Sequence, residues 1–255
     1  MRMRKKKNGE ARLRNCAAVL SGLPEAPRQN GAEDFGYVAP VWLEIGCGKG
    51  NFACTVAERH PEVCLYALER VGDVLLLAAE RAMARRAERP RDNLRFLQER
   101  AENLPMHFAP GSLDAIYLNF SDPWPKKGYA KRRLTHRRYL CMYFALLREN
   151  GCLYVKTDNS GFFDFTLEEL TAIGLHPEWQ TRDLHGTEEA AGNVMTEYEA
   201  HFVAQGMQIC ALRVRRPVGY TPPRIPVGEE RAVLGAVKFR KDQDAVSDRA
   251  TGTPD

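Results

Sequence analysis

No run of about 18 apolar residues occurs in this 255-residue chain, so no membrane-spanning helix is expected. Nor does an apolar stretch follow the basic residues 1–7, as a secretory signal would require. The seven cysteines, at 16, 47, 54, 64, 141, 152 and 210, are odd in number and contain no C-x-x-C pair. That pattern disfavours a disulfide framework or a zinc site. Reduced thiols in or near the core of a cytoplasmic protein are expected, and no metal. A large net charge is also lacking: the balance is only +4, so the distribution of charge carries more information than its sum. There is no internal repeat. What is present is 44% hydrophobic residues, enough for one globular domain with a sizeable core.

The apolar pattern alternates between strand-like and helix-like segments. Val41, Trp42, Leu43, Glu44 and Ile45 read as a buried strand that runs into a tight glycine turn, Gly46-Cys47-Gly48-Lys49-Gly50. Asn51 is the expected cap of the next helix, which His60-Pro61 stops. Further strands are expected over 63–68, 94–97, 113–120 and 152–157, with helices over 73–87, 138–148 and 162–173. The last strands are expected over 178–183 and 198–212, as an antiparallel pair. This alternation implies an open, largely parallel α/β sheet covered on both faces, with ligands outside the carboxyl ends of its strands. Residues 1–35 mix charge, glycine and proline and read as a loosely held basic arm. After Arg216, Pro217, Pro222, Pro223 and Pro226 mark a tail, 217–255, expected to be disordered.

Chemistry collects at the strand ends. Gly46 and Gly48 let the backbone approach a ligand closely at a helix N-terminus. By itself such a turn is equally an ordinary tight connection. Glu69, at the end of the second strand, is placed to accept hydrogen bonds from ribose hydroxyls. Glu44 precedes the turn, where a carboxylate suits a cofactor ammonium and is poorly placed beside a pyrophosphate. The spacing is G-x-G-x-G rather than G-x-G-x-x-G, which further disfavours a dinucleotide. After the fourth strand, Asn119-Phe120-Ser121-Asp122-Pro123-Trp124-Pro125-Lys126-Lys127 forms a loop stiffened by two prolines. Seven cations follow between Lys126 and Arg138, and no acid occurs from Pro123 through Arg148. Solvated faces normally mix signs, so this run reads as a phosphate-binding patch, with Trp124 and Tyr129 as stacking surfaces or packing.

Four segments together resemble the bacterial tRNA (guanine-N7-)-methyltransferases: LEIGCGKG at 43–50, NFSDPWPKKGYAKRRLT at 119–135, KTDN at 156–159 and TEYE at 196–199. The similarity runs from about residue 2 to 210, and Arg2-Met3-Arg4 is similar to the family's N-terminus. The resemblance implies a Rossmann-like class I methyltransferase fold, a mostly parallel seven-stranded sheet with helices on both faces, in a domain spanning 36–216. It implies S-adenosyl-L-methionine as methyl donor and a guanosine in the tRNA variable loop as substrate. By the resemblance, Glu44, Glu69 and Asp122 match cofactor-contacting acids, and Asp122 also matches the suggested catalytic position. Lys126, Asp158, Thr196, Glu197, Tyr198 and Glu199 match substrate contacts. Residues 128–133, with Lys131, Arg132 and Arg133, match the RNA-contacting region. A monomer is expected, with a homodimer as the alternative. Two departures stand out. Arg100 occupies the place of a family acid near the adenine, leaving Glu102 or the backbone around Ala101 to substitute. Gly128-Tyr129 replaces an Arg-His pair, which removes a cation from the patch.

Guanine N7 carries no proton, so methylation there needs alignment rather than a general base. Asp122 is expected to accept hydrogen bonds from the guanine N1–H and amino group or to fix the cofactor, with Asp158 sharing that role. Nearby carboxylates would stabilise the cationic product. The rival readings are a methyltransferase for exocyclic amines, a non-catalytic RNA-binding module and an NAD-dependent oxidoreductase.

Overall fold

The structure, a computed structural model, describes residues 6–224. In chain order its elements are α1 (Gly9–Arg14), α2 (Ala32–Phe35), β1 (Val41–Ile45), α3 (Asn51–Arg59), β2 (Cys64–Leu68), α4 (Gly72–Ala84), β3 (Leu94–Leu97) and α5 (Leu104–His107). Then come β4 (Leu113–Asn119), α6 (Arg137–Leu146), β5 (Leu147–Thr157), α7 (Ser160–Thr171), β6 (Trp179–Thr181), α8 (Glu197–Val203) and β7 (Cys210–Arg215). One seven-stranded sheet has the order β3-β2-β1-β4-β5-β7-β6. Strands β1 to β5 pair in parallel, whereas β7 runs antiparallel to both β5 and β6. The chain order reverses between β1 and β4, and ligands of such sheets bind beyond the carboxyl ends at that point.

Side-chain alternation explains how both faces are covered. Val41, Leu43 and Ile45 of β1 join Cys64, Tyr66 and Leu68 of β2 in one buried cluster with Tyr143 and Phe144 of α6 and Phe163 of α7. Leu65 and Ala67 point the other way and pack with Phe52, Val56, Leu75 and Ala78 of α3 and α4. Strand β2 is therefore buried and apolar on both sides, as a helix-sandwiched parallel sheet requires of its inner strands. All seven cysteines are free and buried.

Several sequence expectations change. The late strand begins at Cys210, not at residue 198, and 197–203 is helix α8. The reason is a capping box: Thr196 Oγ1 accepts from the Glu199 amide (2.9 Å), and the Glu199 carboxylate accepts from the Thr196 amide (3.3 Å). Helix α6 stops at Leu146 and β5 starts at once, with Leu147 paired to Leu113. Gly50, at φ 75°, is the N-cap of α3. Asn51 is the first helical residue, and its side-chain Nδ2 donates to the Met195 carbonyl (3.4 Å). The N-terminal segment is not loose within the described residues. Arg12 forks onto Glu80 of α4 (2.7 and 2.8 Å), and Cys16 and Val19 are buried. Arg28, 2% exposed, joins Asp34, Ser21 and the Gly22 carbonyl. Of the expected tail, residues 225–255 lie outside the described residues. Tyr220 is anchored, its hydroxyl on the Ile173 carbonyl (2.7 Å) and its ring edge-on to Phe144.

Candidate active site

The carboxyl ends of β1, β2, β4 and β5 converge on the glycine turn. The Gly46 and Cys47 amides both donate to the Leu68 carbonyl (2.8 and 3.0 Å), which pins the turn to the end of β2. Gly46 and Gly48 have φ of 80° and 55°, and a Cβ on either would meet nothing within 4 Å. Their open side is a cradle that backbone alone lines. Gly50 differs, since its Cβ would lie 2.8 Å from that of Ala78, so this glycine is required for packing α3 against α4. Glu69, half-buried, bridges the same space: it accepts from the Gly48 amide (3.3 Å) and the Val71 amide (2.8 Å).

Glu44 is buried beneath the turn, 2% exposed. One carboxylate oxygen accepts from the Asn119 side-chain Nδ2 (3.1 Å), and the other has no partner. Burial pushes its carboxyl up to about 7, against the pull of Asn119 and Lys156. An acceptor so placed is costly unless a donor reaches it, and a ligand ammonium is such a donor. The Gly46–Gly48 cradle and this unpartnered acceptor therefore fit a cofactor with a cationic amino-acid end.

Lys156 was not among the site residues expected from sequence. It lies at the end of β5, 8% exposed, with its ammonium on Glu199 (2.6 Å), Asn193 (2.8 Å) and the Val194 carbonyl (3.0 Å). Burial lowers its pKa, while Glu199 raises it. Glu199 is 0% exposed and also takes Asn193 Nδ2 (2.6 Å) and His185 Nε2 (3.1 Å). The four residues 196–199 thus divide. Thr196 and Glu199 face inward: Thr196 caps α8, and Glu199 fastens it to Lys156, so the structure places Glu199, expected as a direct substrate contact, inside the protein and away from its surface. Glu197 and Tyr198 remain exposed. Glu197 pairs with Arg81 and lies 3.9 Å from Lys49 of the glycine turn. Tyr198, 64% exposed, stands beside Phe120 and Phe202, with ring centroids at 6.2 and 5.4 Å.

Asp122 is exposed on the loop after β4. Its flanks are strained: Phe120 and Trp124 have φ of 53° and 41°, a region that costs an ordinary residue roughly 1–2 kcal/mol. Two fixed points hold the loop. The Phe120 amide extends the ladder to the Lys156 carbonyl (2.8 Å). Arg133 donates from Nε to the Pro123 carbonyl (2.9 Å) and from Nη2 to that of Trp124 (3.0 Å). Asp158, half-buried, lies at the end of β5 next to Asn159, which caps α7 by accepting from the Phe162 amide (2.8 Å).

The basic run separates into two groups. Lys126, Lys127, Lys131 and Arg132 are exposed, and the Arg132 guanidinium lies over Trp124 (5.2 Å) and Tyr129 (4.5 Å). Trp124 and Tyr129 themselves meet edge-on at 5.8 Å. Arg133, Arg137 and Arg138 belong to the framework. Arg137 forks onto buried Glu169 (2.8 and 3.0 Å), and Arg138 donates to the Tyr139 hydroxyl (2.7 Å) near Glu102. The acids missing from the local sequence arrive from α7 and from the segment after β3. Glu102 is engaged by the Tyr139 hydroxyl (2.6 Å) and lies 3.7 Å from exposed Arg100, which leaves the backbone near Ala101 as the alternative at that corner. Among the described residues no group of three or more His, Cys, Asp and Glu side chains is arranged to hold a metal ion, and no helix is long and apolar enough to cross a membrane.

Comparison with known proteins places this geometry. Residues 38–212 match the model of a family described as "Putative methyltransferase". A tRNA (guanine-N(7)-)-methyltransferase of Brevibacillus brevis is 42% identical over 82% of this chain and 95% of its own length. One of Streptococcus equi subsp. zooepidemicus is 39% identical over 83% and 98%. Among solved structures, the 16S rRNA methyltransferase KamB superposes with a TM-score of 0.53 at 16% identity, covering 84% of this chain and 95% of its own. The antibiotic-resistance methyltransferase Kmr gives 0.51 at 19%, covering 71% and 89%, and both establish the fold alone. With this identity held along nearly the full length of its relatives, the chain belongs to the tRNA (guanine-N7-)-methyltransferase family.

Proposed function

We propose that this protein transfers a methyl group from S-adenosyl-L-methionine to N7 of a guanine in the variable loop of tRNA, in the cytoplasm. The observation that carries the cofactor half is the unpartnered, buried oxygen of Glu44 beneath a glycine turn lined on its open side by backbone alone. A pyrophosphate would meet repulsion there, and an ammonium would be held. When bound, S-adenosyl-L-methionine supplies an already activated methyl group. Glu44 would receive its ammonium, Gly46 and Gly48 would let it approach the backbone closely, and Glu69 would accept from its ribose hydroxyls.

For the substrate, the exposed Lys126, Lys131 and Arg132 hold backbone phosphates, and Tyr129, Trp124 and Tyr198 offer faces on which an unstacked base rests. Asp122 accepts hydrogen bonds from the N1–H and amino group of guanine or fixes the cofactor. Asp158 and Glu197 approach from the neighbouring strand end and helix. No proton leaves N7, so these groups act by alignment and by stabilising the positive charge that develops on the base. The test is direct. Purified protein is incubated with methyl-labelled S-adenosyl-L-methionine and an unmodified tRNA transcript, and the RNA is digested to nucleosides. Label in N7-methylguanosine is expected. Label in an N-methylated exocyclic amine would move the assignment to the rival methyltransferase reading. No label despite intact cofactor binding would remove tRNA as the substrate.

A further inference from the structure

Arg133 sits in the basic run, between exposed Arg132 and the framework, and the sequence gives no sign that it differs from its neighbours. Its surroundings do. Its Nε and Nη2 form a side-on fork to two consecutive carbonyls, those of Pro123 and Trp124, directly after Asp122. Its guanidinium carbon Cζ lies 4.3 Å from the ring centroid of Phe165 in α7. The side chain is half-buried rather than exposed. The segment it grips begins at Phe120 and ends at Trp124, both with positive φ. Such a conformation persists only where the surroundings over-determine it. At the Phe120 end the sheet supplies that constraint, through the amide bonded to the Lys156 carbonyl (2.8 Å). At the Trp124 end, two prolines remove backbone donors, and the guanidinium fork supplies it instead.

We propose that Arg133 is a positioning residue for methyl transfer: it fixes the Asp122 loop through the Pro123 and Trp124 carbonyls and does not bind an RNA phosphate. Because Phe165 lies on the helix that follows Asp158, the same guanidinium ties the Asp122 loop to the element after the second candidate carboxylate. Arginine is required for this, since a lysine ammonium on one flexible stem cannot span two carbonyls in a plane. A phosphate contact, in contrast, tolerates lysine well.

The inference rests on the methyltransferase reading above, and one arm of its test needs no substrate. Arg133→Lys and Arg133→Ala are compared with wild type, and Lys131→Ala serves as the phosphate-contact control. Three quantities are measured: hydrogen exchange of the amides of 120–122, 124 and 126 in the free protein, tRNA affinity across a salt series, and the single-turnover methyl-transfer rate at saturating tRNA and cofactor. For Arg133→Lys, faster exchange in the loop and a rate at least about tenfold lower are expected, with tRNA affinity and salt slope as in wild type. For Lys131→Ala the salt slope is expected to fall by roughly 0.7–0.9. The lysine variant keeps the charge, so it decides the matter even where the alanine variant folds poorly. The proposal is overturned if Arg133→Lys retains wild-type loop exchange and rate, or if Arg133→Ala lowers the salt slope as Lys131→Ala does while the rate stands. Were wild-type protein to label no tRNA, the functional reading would fall, and the exchange arm would still decide whether Arg133 holds the loop.

Discussion

Replacing Glu44 with glutamine removes one charge at nearly constant shape, and its consequences run in opposite directions for stability and for binding. In the folded protein burial pushes the Glu44 carboxyl up to about 7 from an ordinary 4.5. At about 1.4 kcal/mol per pH unit, that corresponds to roughly 3 kcal/mol. A raised value means that the folded state holds the proton more tightly than the unfolded chain does. The free protein therefore loses stability as pH rises from about 4.5 to about 7, and the loss is complete above that. Cofactor affinity behaves inversely, because an ammonium needs the ionised carboxylate. It is expected to rise about tenfold per pH unit up to about 7 and then level, until the cofactor's own amino group loses its proton near about 8. Calorimetric titration of S-adenosyl-L-methionine between about pH 5.5 and 8, with urea unfolding of the free protein, measures both. Glu44→Gln is expected to flatten the acid limb, weaken binding above about pH 7 and stabilise the free protein there. An acid limb that survives unchanged in Glu44→Gln would refute the assignment of the ammonium to Glu44.

Three further outcomes follow from packing and charge. Lys156→Met leaves the enclosed Glu199 carboxylate without its cation, and a loss of about 3–5 kcal/mol in urea unfolding is expected; adding Glu199→Gln should recover part of it, and a loss below about 1 kcal/mol would contradict the buried pair. Gly50→Ala combines a φ of 75° with a Cβ 2.8 Å from that of Ala78, so a loss of more than about 2 kcal/mol is expected, whereas Gly48→Ala should harm cofactor affinity more than stability. Joint replacement of Lys126, Lys131 and Arg132 by alanine should lower the salt slope of tRNA binding by about 2–3, and an unchanged slope would remove these residues from the phosphate contact.

The sheet was legible because buried parallel strands leave short apolar runs, and β1 to β5 each announce themselves in this way. The glycine turn and the Asp122 loop were legible because backbone needs restrict the residue types at both. The helix at 197–203 departs from the strand expected from residue 198, although its signal is in the sequence: Thr196 and Glu199 form a T-x-x-E capping box. The division of the basic run was not legible. Glu169 and Glu102, which hold Arg137 and Arg138, lie far along the chain, and the carbonyls that hold Arg133 carry no side-chain signature at all. The same holds for Lys156, whose three partners come together only when β5 meets the segment before α8. Residues 1–35 read as loose because they mix charge, glycine and proline, whereas within 6–35 Arg12 and Arg28 find partners on α4 and within the arm itself.

The central claim, that the acceptor atom is N7 of guanine, is tested most directly with a tRNA transcript made from 7-deazaguanosine in place of guanosine. That substitution replaces N7 by carbon and leaves the Watson–Crick edge intact. Normal guanosine transcript labelled in N7-methylguanosine, with the deaza transcript bound but unlabelled, is the expected result. Equal labelling of the deaza transcript would contradict it, since the methyl group would then be going to another atom.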